Sequence, residues 1–238
     1  MSAPTPRVQV VRGAYWAVRL DRRRPAGESW TGYVVGEASC DETGVLATVM
    51  GVPQHVVLER FRRGASAWVA RTPQGAIGAW LWVSTGRHFD EPIRRELSFA
   101  ADEAYGWSAG TLPAHRGHGL FTSLLERAGA EALREGRIVM WGGIQDRNLA
   151  SRRSTVRAGF TPVLRLSALL VGRGSLIHAR AADYADPELV RRAHRVLGTS
   201  ASEWRHPWTM PRPTIDTLQP AGEVVQAAAP ASTRRNPQ

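Results

Sequence analysis

The chain has 238 residues, of which 43% are hydrophobic, so it can bury one substantial core or two smaller ones. Its longest unbroken apolar run, residues 76–83, is too short to span a bilayer. The first residues lack the apolar stretch of a secretory signal, which favours a cytoplasmic location. The single cysteine, Cys40, excludes an internal disulfide, and we expect it to be a small buried residue. No Cys/His cluster has zinc-ligand spacing, so no metal site is expected.

All 31 basic residues are arginine, and the formal net charge is +10. One interpretation is the codon bias of a GC-rich genome, and the other is affinity for phosphates, whose geometry guanidinium groups match. The arginines are spread along the chain and are not gathered in one block. This distribution makes a nucleic-acid-binding protein the less favoured alternative.

The first part of the chain predicts strands and one short helix. Residues 8–20 are rich in valine and aromatic residues, as in a strand, and residues 30–38 are either a second strand or a substrate-facing loop. Residues 53–63 have the apolar spacing of a short helix, which Gly64 ends. Residues 66–84 contain two Val/Trp-rich runs separated by a turn, which is typical of a β-hairpin.

The second part alternates strands and helices. Residues 103–112 predict a strand and residues 119–135 an amphipathic helix, because Leu120, Leu124, Ala128 and Ala132 recur every four residues. A buried strand over 137–144, a helix over 148–160, a strand over 161–172 and a helix over 186–198 follow. This order indicates a layered α/β (α+β) fold.

Three regions are predicted from this order. Residues 1–45 form an N-terminal segment that belongs to the main domain or packs on it, and residues 46–205 form that domain. Residues 206–238 are rich in proline and alanine, and we expect them to be disordered.

The most informative stretch is the loop Arg116-Gly117-His118-Gly119 directly before the helix at residue 119. The first turn of a helix has unpaired amides and the positive end of the helix dipole, and the two glycines leave an anion free access. The loop lacks the lysine of a nucleotide-binding P-loop and the third glycine of a dinucleotide fingerprint. It predicts a phosphate or pyrophosphate cradle. A tight strand-to-helix turn that binds nothing is the alternative.

The loop and the later segment "NLASRRSTVRAGF", residues 148–160, together resemble the GCN5-related N-acetyltransferase (GNAT) family. That family has a Q/R-x-x-G-x-G/A loop after a central strand, and then a strand, an Asn-initiated helix and a closing Gly-Phe. The resemblance covers about residues 50–172 and is strongest over 107–163. It implies a mixed, mostly antiparallel central sheet with a splayed parallel strand pair, flanked by helices.

The resemblance also implies a function. It predicts an acyl-CoA-dependent N-acyltransferase that moves an acetyl group from acetyl-CoA to an amine by direct attack in a ternary complex. The loop amides would hold the CoA pyrophosphate, the strand edge at 109–111 would pair with pantetheine, and Asn148 would lie near pantetheine or cap its helix. The predicted cofactor-binding residues are Ala109, Gly110, Thr111, Arg116, Gly117, His118, Gly119, Leu120, Phe121, Thr122 and Asn148.

Two residues depart from the family pattern. Phe121 replaces the last small residue of the loop, and we expect its ring to turn into the core. Thr155 stands where a tyrosine often serves as general acid, and threonine is a poor proton donor. A degenerate member that binds CoA or a partner without catalysis is therefore an alternative function.

The remaining chemistry needs a general base and an acceptor. Glu103 and Asp102, at the start of the central strand, are the preferred bases, although two solvated carboxylates ending a loop would look the same. His115, His118 and Asp146 are weaker candidates for a role in catalysis or substrate contact. The acceptor is predicted to be a small-molecule or peptide amine, and the N-terminal segment and residues 86–100 to shape its pocket. The sequence leaves a homodimer open.

Overall fold

The computed structural model describes residues 8–22, 32–172 and 174–199. The predicted disordered tail, residues 206–238, lies outside these ranges, as do the first residues of the N-terminal segment. Within the described ranges, no helix combines the length and apolar character that crossing a membrane requires.

An eight-stranded sheet forms the centre of the molecule. Its order is β10-β9-β1-β8-β7-β4-β3-β2, and every neighbouring pair is antiparallel except β7–β8, which is parallel. The predicted mixed, mostly antiparallel sheet with one parallel pair is therefore confirmed. The strands are β1 (Val8–Arg19), β2 (Val34–Ala38), β3 (Ser66–Arg71), β4 (Ile77–Ser84), β7 (Glu103–Thr111), β8 (Val139–Gln145), β9 (Thr161–Val171) and β10 (Gly174–Ala181), and a separate hairpin consists of β5 (Arg87–Asp90) and β6 (Arg95–Ser98).

Helices cover both faces of this sheet. Strand residues alternate between the two faces, as in β1, where Trp16 packs into the core cluster with α3 while Tyr15 packs with α5. The third core cluster joins α1 and α2 to Trp82 and its neighbours on β3 and β4. The helices are α1 (Thr43–Met50), α2 (Gln54–Arg62), α3 (Leu120–Arg134), α4 (Leu149–Arg157) and α5 (Pro187–Leu197).

Most predicted elements are present, and three were not predicted. These are α1, the β5–β6 hairpin and β10. Cys40 is exposed, so the expectation of a buried cysteine was wrong. It lies in a short 3-10 helix, Cys40–Glu42, before α1, where the chain runs over the surface.

Strands β7 and β8 separate after a short stretch of pairing. Their parallel register runs from Glu103–Val139 to Gly106–Gly142 and stops there, although both strands continue. Beyond this point β7 still pairs with β4, with a shift at Ser108, whose φ of 45° marks a bulge. The result is an opening between two strands in the middle of the sheet, with unpaired backbone on the β8-facing edge of β7.

Candidate active site

The glycine loop at the start of α3 is open to solvent. Gly117 and Gly119 have φ angles of 85° and 70°, in the left-handed region that favours glycine. A Cβ atom added at either position would meet no other atom within 4 Å. Both glycines and His118 between them are exposed. The turn therefore has room for an anion and is not covered by the protein's own side chains.

The first turn of α3 presents amides without a helical partner. The first amide to bond within the turn is that of Ser123, which donates to the carbonyl of Gly119 at 3.1 Å. No acidic side chain lies in this turn, so the positive end of the helix dipole is not neutralised there. Leu120 is buried and Phe121 packs against the core. The expectation that the Phe121 ring turns inward is confirmed, and the ring does not crowd the loop.

A histidine next to the loop has a packing role. The Nδ1 atom of His115 lies 2.7 Å from the hydroxyl of Tyr33, and the ring of Tyr33 also contacts that of His118 at 5.6 Å between centroids. A Cβ atom at Gly78 would lie 2.8 Å from Cγ of His115, so a glycine is needed beneath the imidazole. His115 therefore helps to fix the loop against β4.

The edge of β7 leads from the loop to the opening in the sheet. Ala109 is exposed, and Gly110 and Thr111 are half-buried. A Cβ atom at Gly110 would lie 2.2 Å from Cζ2 of Trp80, so the indole of Trp80 occupies the space that a side chain would need. The predicted pantetheine edge is thus free on the β8 side and tightly packed on the β4 side.

Asn148 caps α4. Its Oδ1 accepts a hydrogen bond from the amide of Ser151 at 3.0 Å, which confirms the predicted N-cap. Its contact with pantetheine stays a prediction. Thr155, in the same helix, is buried, so its hydroxyl is not offered to a substrate.

Glu103 and Asp102, the predicted general bases, lie away from the opening. Glu103 is fully buried, and its carboxylate accepts from Arg195 at 2.6 Å and from the amide of Ala100 at 2.9 Å. Arg192 lies 2.8 Å from Asp102, and this hydrogen bond lowers the pKa of Asp102 below its ordinary value. Neither carboxylate lines the cavity described next. The geometry gives both of them a structural role in holding α5 and does not support either as the base.

A cavity of about 350 Å³ lies at the opening between β7 and β8, on the face that carries α2 and α5. The β5–β6 hairpin and α2 form its sides, and β1, β7 and β8 form its floor. Its aromatic walls come from Tyr15, His88, Tyr105 and Trp107, and its charged groups are Arg60, Asp90 and Glu91.

Asp90 is the buried carboxylate of this cavity. Its Oδ2 accepts hydrogen bonds from the hydroxyls of Tyr105 at 2.5 Å and Tyr15 at 3.3 Å. Burial raises the pKa of Asp90 above that of an ordinary aspartate, although these hydrogen bonds act in the opposite direction. Gly143 makes this approach possible, because a Cβ atom there would lie 3.0 Å from the Tyr105 hydroxyl. The arrangement provides a relatively basic carboxylate beside the opening in the sheet.

His88 is a neutral aromatic wall. Its ring lies 4.3 Å from that of Trp107, between centroids, and 5.2 Å from that of Tyr105. Burial and the nearby charges of Arg60 and Arg63 lower the pKa of His88 to about 4. At neutral pH the imidazole is uncharged, so the positive charge on this wall comes from Arg60.

Asp90, Arg60 and the two tyrosines were not predicted as site residues from the sequence. Residues 86–100 were predicted to shape the acceptor pocket, and Asp90 lies in that segment. The only local signal was Asp90 before Glu91-Pro92, which is typical of a helix N-cap, and Asp90 does cap a short 3-10 helix through the amide of Ile93. Nothing in that signal indicates that the carboxylate also faces a cavity.

Within the described residues, no group of His, Cys, Asp and Glu side chains is arranged to hold a metal ion. The opening brings together aromatic rings, one guanidinium and one buried carboxylate, and the free backbone amides lie at the start of α3.

Comparisons of sequence and of structure give different results. A scan against protein-family profiles found no match, and a search of curated protein sequences also found none. Solved structures do match. A GNAT-family protein from Novosphingobium aromaticivorans is 18% identical with a TM-score of 0.50, and the alignment covers 72% of this chain and 70% of that one.

Two further structures agree. A GCN5-related N-acetyltransferase from Sphaerobacter thermophilus has a TM-score of 0.52 at 17% identity, and the alignment covers 73% of this chain and 53% of that one. An acetyltransferase of the GNAT family from Colwellia psychrerythraea has a TM-score of 0.51 at 14% identity, with 69% and 56% covered. The chain thus spans little more than half the length of these two proteins.

The sheet with one splayed parallel pair, flanked by helices, defines a layered α/β protein with an opening at its centre. This is the fold of the GCN5-related N-acetyltransferases. The resemblance seen in the sequence is confirmed at the level of the fold.

Proposed function

We propose that this protein is an acyl-CoA-dependent N-acyltransferase that transfers an acetyl group from acetyl-CoA to an amine within a ternary complex. The observation that carries the proposal is the open amide cradle at Gly117–Gly119, which follows the unpaired edge of β7 along the chain. The other end of that edge borders the cavity. A diphosphate, an extended amide-containing arm and a thioester need these three features in this order.

The cradle and the edge account for binding. Free amides and the helix dipole at the start of α3 favour the pyrophosphate, and the loop glycines allow close approach. The pantetheine amides pair with the backbone of Ala109 to Thr111, as an added strand pairs with a sheet edge. Asn148 would lie beside this arm while it continues to cap α4.

The chemistry takes place at the opening between β7 and β8. The neutral amine attacks the thioester carbonyl carbon, the C–N bond forms, the C–S bond breaks and the CoA thiolate leaves. A backbone N–H on β7 polarises the carbonyl. Asp90 accepts the proton that the amine nitrogen gives up, since it is the buried carboxylate of the cavity and burial raises its pKa.

A general acid for the thiolate is not required in this scheme. Thr155 is buried and unsuited to that role. A thiol with a pKa of about 8.5 is a tolerable leaving group at neutral pH, and positioning of the two substrates supplies most of the rate.

Calorimetry with acetyl-CoA tests the proposal. Gly119→Glu places a carboxylate against the pyrophosphate, and repulsion of about 2 kcal/mol at a separation of about 8 Å would weaken binding about 30-fold. The matched control is Gly136→Glu. Gly136 also has a positive φ, 85°, and free space around its Cβ position, but it follows the other end of α3. Equal affinities of the two variants, or no binding by the wild type at high micromolar ligand, would contradict the proposal.

A second assay separates an enzyme from a degenerate member of the fold. Release of free thiol from acetyl-CoA, followed with a panel of amines, is expected only if the protein catalyses transfer. CoA binding without thiol release from any amine would favour the non-catalytic alternative that Thr155 keeps open.

A further inference from the structure

We infer that the acceptor carries a carboxylate as well as its amine, and that Arg60 binds this carboxylate across the cavity from Asp90. The acceptor is then a small amino acid. This inference rests on the proposed function and adds its substrate class.

Arg60 is held rigidly at the wall of the cavity. It lies on α2, and its guanidinium carbon is 4.7 Å from the ring centroid of Trp107 and 5.1 Å from that of Trp82. Its Nη1 donates to the hydroxyl of Ser108, at the bulge of β7, at 3.0 Å. Stacking on two indoles leaves the edge of the guanidinium, with its remaining donors, free to face a ligand.

Among the residues that the structure describes, this positive charge has no partner of opposite sign. No carboxylate among the described residues forms an ion pair with Arg60, and burial lowers its pKa with no acidic group acting against that effect. Arg63, the residue that follows α2, pairs with Glu59 at 2.8 Å. A half-buried guanidinium that stacks on two rings and keeps unused donors is a suitable site for a carboxylate.

The opposite charge lies across the same cavity. Asp90 is held by the hydroxyls of Tyr15 and Tyr105, and His88 between the two charged walls is uncharged at neutral pH. The other acidic lining residue, Glu91, is exposed. A ligand whose amine faces Asp90 and whose carboxylate faces Arg60 therefore matches both walls, and a cavity of about 350 Å³ suits a small molecule.

Arg60 is not placed to bind the CoA phosphates. It contacts Ser108, at the opening between β7 and β8. The amide cradle is at Gly117–Gly119, beyond the end of β7 and at the start of α3. The two anion sites are thus separated by the strand edge that is proposed to bind pantetheine.

Thiol release from acetyl-CoA tests the inference with pairs of acceptors in which a neutral carboxamide replaces the carboxylate. The panel contains the L-α-amino acids, β-alanine and γ-aminobutyrate, each beside its carboxamide. We expect at least one amino acid to have a kcat/KM about tenfold to hundredfold above that of its amide. This factor corresponds to the usual free energy of a charge-assisted hydrogen bond. Arg60→Met should raise the KM for that amino acid by a similar factor, leave the value for the amide unchanged, and leave the Kd for CoA unchanged. Arg60→Lys should restore part of the preference.

Arg63→Met is the matched control, because Arg63 directly follows the same helix but does not line this cavity. Thermal unfolding of each variant checks that the shorter, uncharged side chain introduced by Arg60→Met still packs between the indoles. Equal rates with amino acids and amides, or a preference that survives Arg60→Met, would overturn the inference while leaving the acyltransferase proposal intact. The inference would also be overturned if Arg60→Met weakened CoA binding enough to account for the whole loss of activity with the amino acid. CoA binding without thiol release from any acceptor would overturn it as well. Failure to bind CoA would overturn both proposals.

Discussion

Replacing Glu103 by glutamine distinguishes a structural carboxylate from a general base. Glu103 is fully buried and receives hydrogen bonds from two arginines of α5 and from one backbone amide. Glutamine keeps one acceptor oxygen, but its amide group faces guanidinium donors and its side chain carries no charge. We expect Glu103→Gln to destabilise the fold by loosening α5.

The expected cost is about 2 kcal/mol. Breaking a fully buried ion pair costs about 3–5 kcal/mol. Arg195, however, is 50% exposed and regains water, while Arg192 keeps its contacts with Asp102 and Glu188. A loss of about 2 kcal/mol lowers the Tm by about 4–8 °C in a protein of this size.

Urea unfolding at neutral pH measures the change. Glu96→Gln is the control, because Glu96 also pairs with an arginine, but the two side chains are 61% and 79% exposed. That variant should lose no more than about 0.5 kcal/mol. Thiol release by Glu103→Gln, measured below its lowered Tm, should match the wild type. A variant with unchanged stability and lost turnover would refute this reasoning and restore Glu103 as the general base.

Three further predictions concern the site and its surroundings. Asp90→Asn should lower kcat about 100-fold with little change in CoA affinity, and an unchanged kcat would exclude Asp90 as the base. Because burial raises the pKa of Asp90, the kcat/KM of the wild type should begin to fall, as the solution is made more acidic, at a pH above the pKa of an ordinary aspartate. Gly110→Val should weaken CoA binding and lower the Tm, because the Cβ of the valine would lie 2.2 Å from the Trp80 ring. Calorimetry measures the affinity, and a folded variant that binds CoA as tightly as the wild type would contradict this prediction. Glu42→Gln should cost about 1 kcal/mol at pH 7. The hydrogen bond from Arg71 lowers the pKa of Glu42, so the ion pair stabilises the fold at a pH above the pKa of Glu42 in the unfolded chain, and this stabilisation is lost as the pH falls through its pKa in the folded protein. The difference in unfolding free energy between wild type and variant, measured with urea, should therefore shrink below about pH 4. A difference that stays constant with pH would refute the ion-pair explanation.

The elements that were predictable from the sequence are those whose signals are local. The four-residue apolar spacing of α3, the cap by Asn148 and the turn of the β3–β4 hairpin depend on neighbours within a few positions. The glycine loop belongs to this group as well. Its two positive φ angles and its exposure follow from the residues that the loop contains.

The acceptor side of the site was not predictable because its contacts are distant in the chain. Tyr15 approaches Asp90, 75 positions later, and Arg60 meets Ser108, 48 positions later. The arginines that pair with Glu103 follow it by about 90 residues, so the carboxylate looked available in the sequence. An acidic residue at a strand start has the same local pattern whether it is solvated, catalytic or paired with a remote helix.

The position of β1 has a consequence for how the molecule is made. Of the described strands β1 comes first along the chain, yet both of its neighbours come from much later: Gly13 pairs with Gln145, and Val8 pairs with Val171. During translation β1 therefore has neither partner until β8 has left the ribosome, and its second partner, β9, follows later still. Tyr15 on β1, and with it part of the floor of the cavity, can take its place in the sheet only after both of these strands have been made.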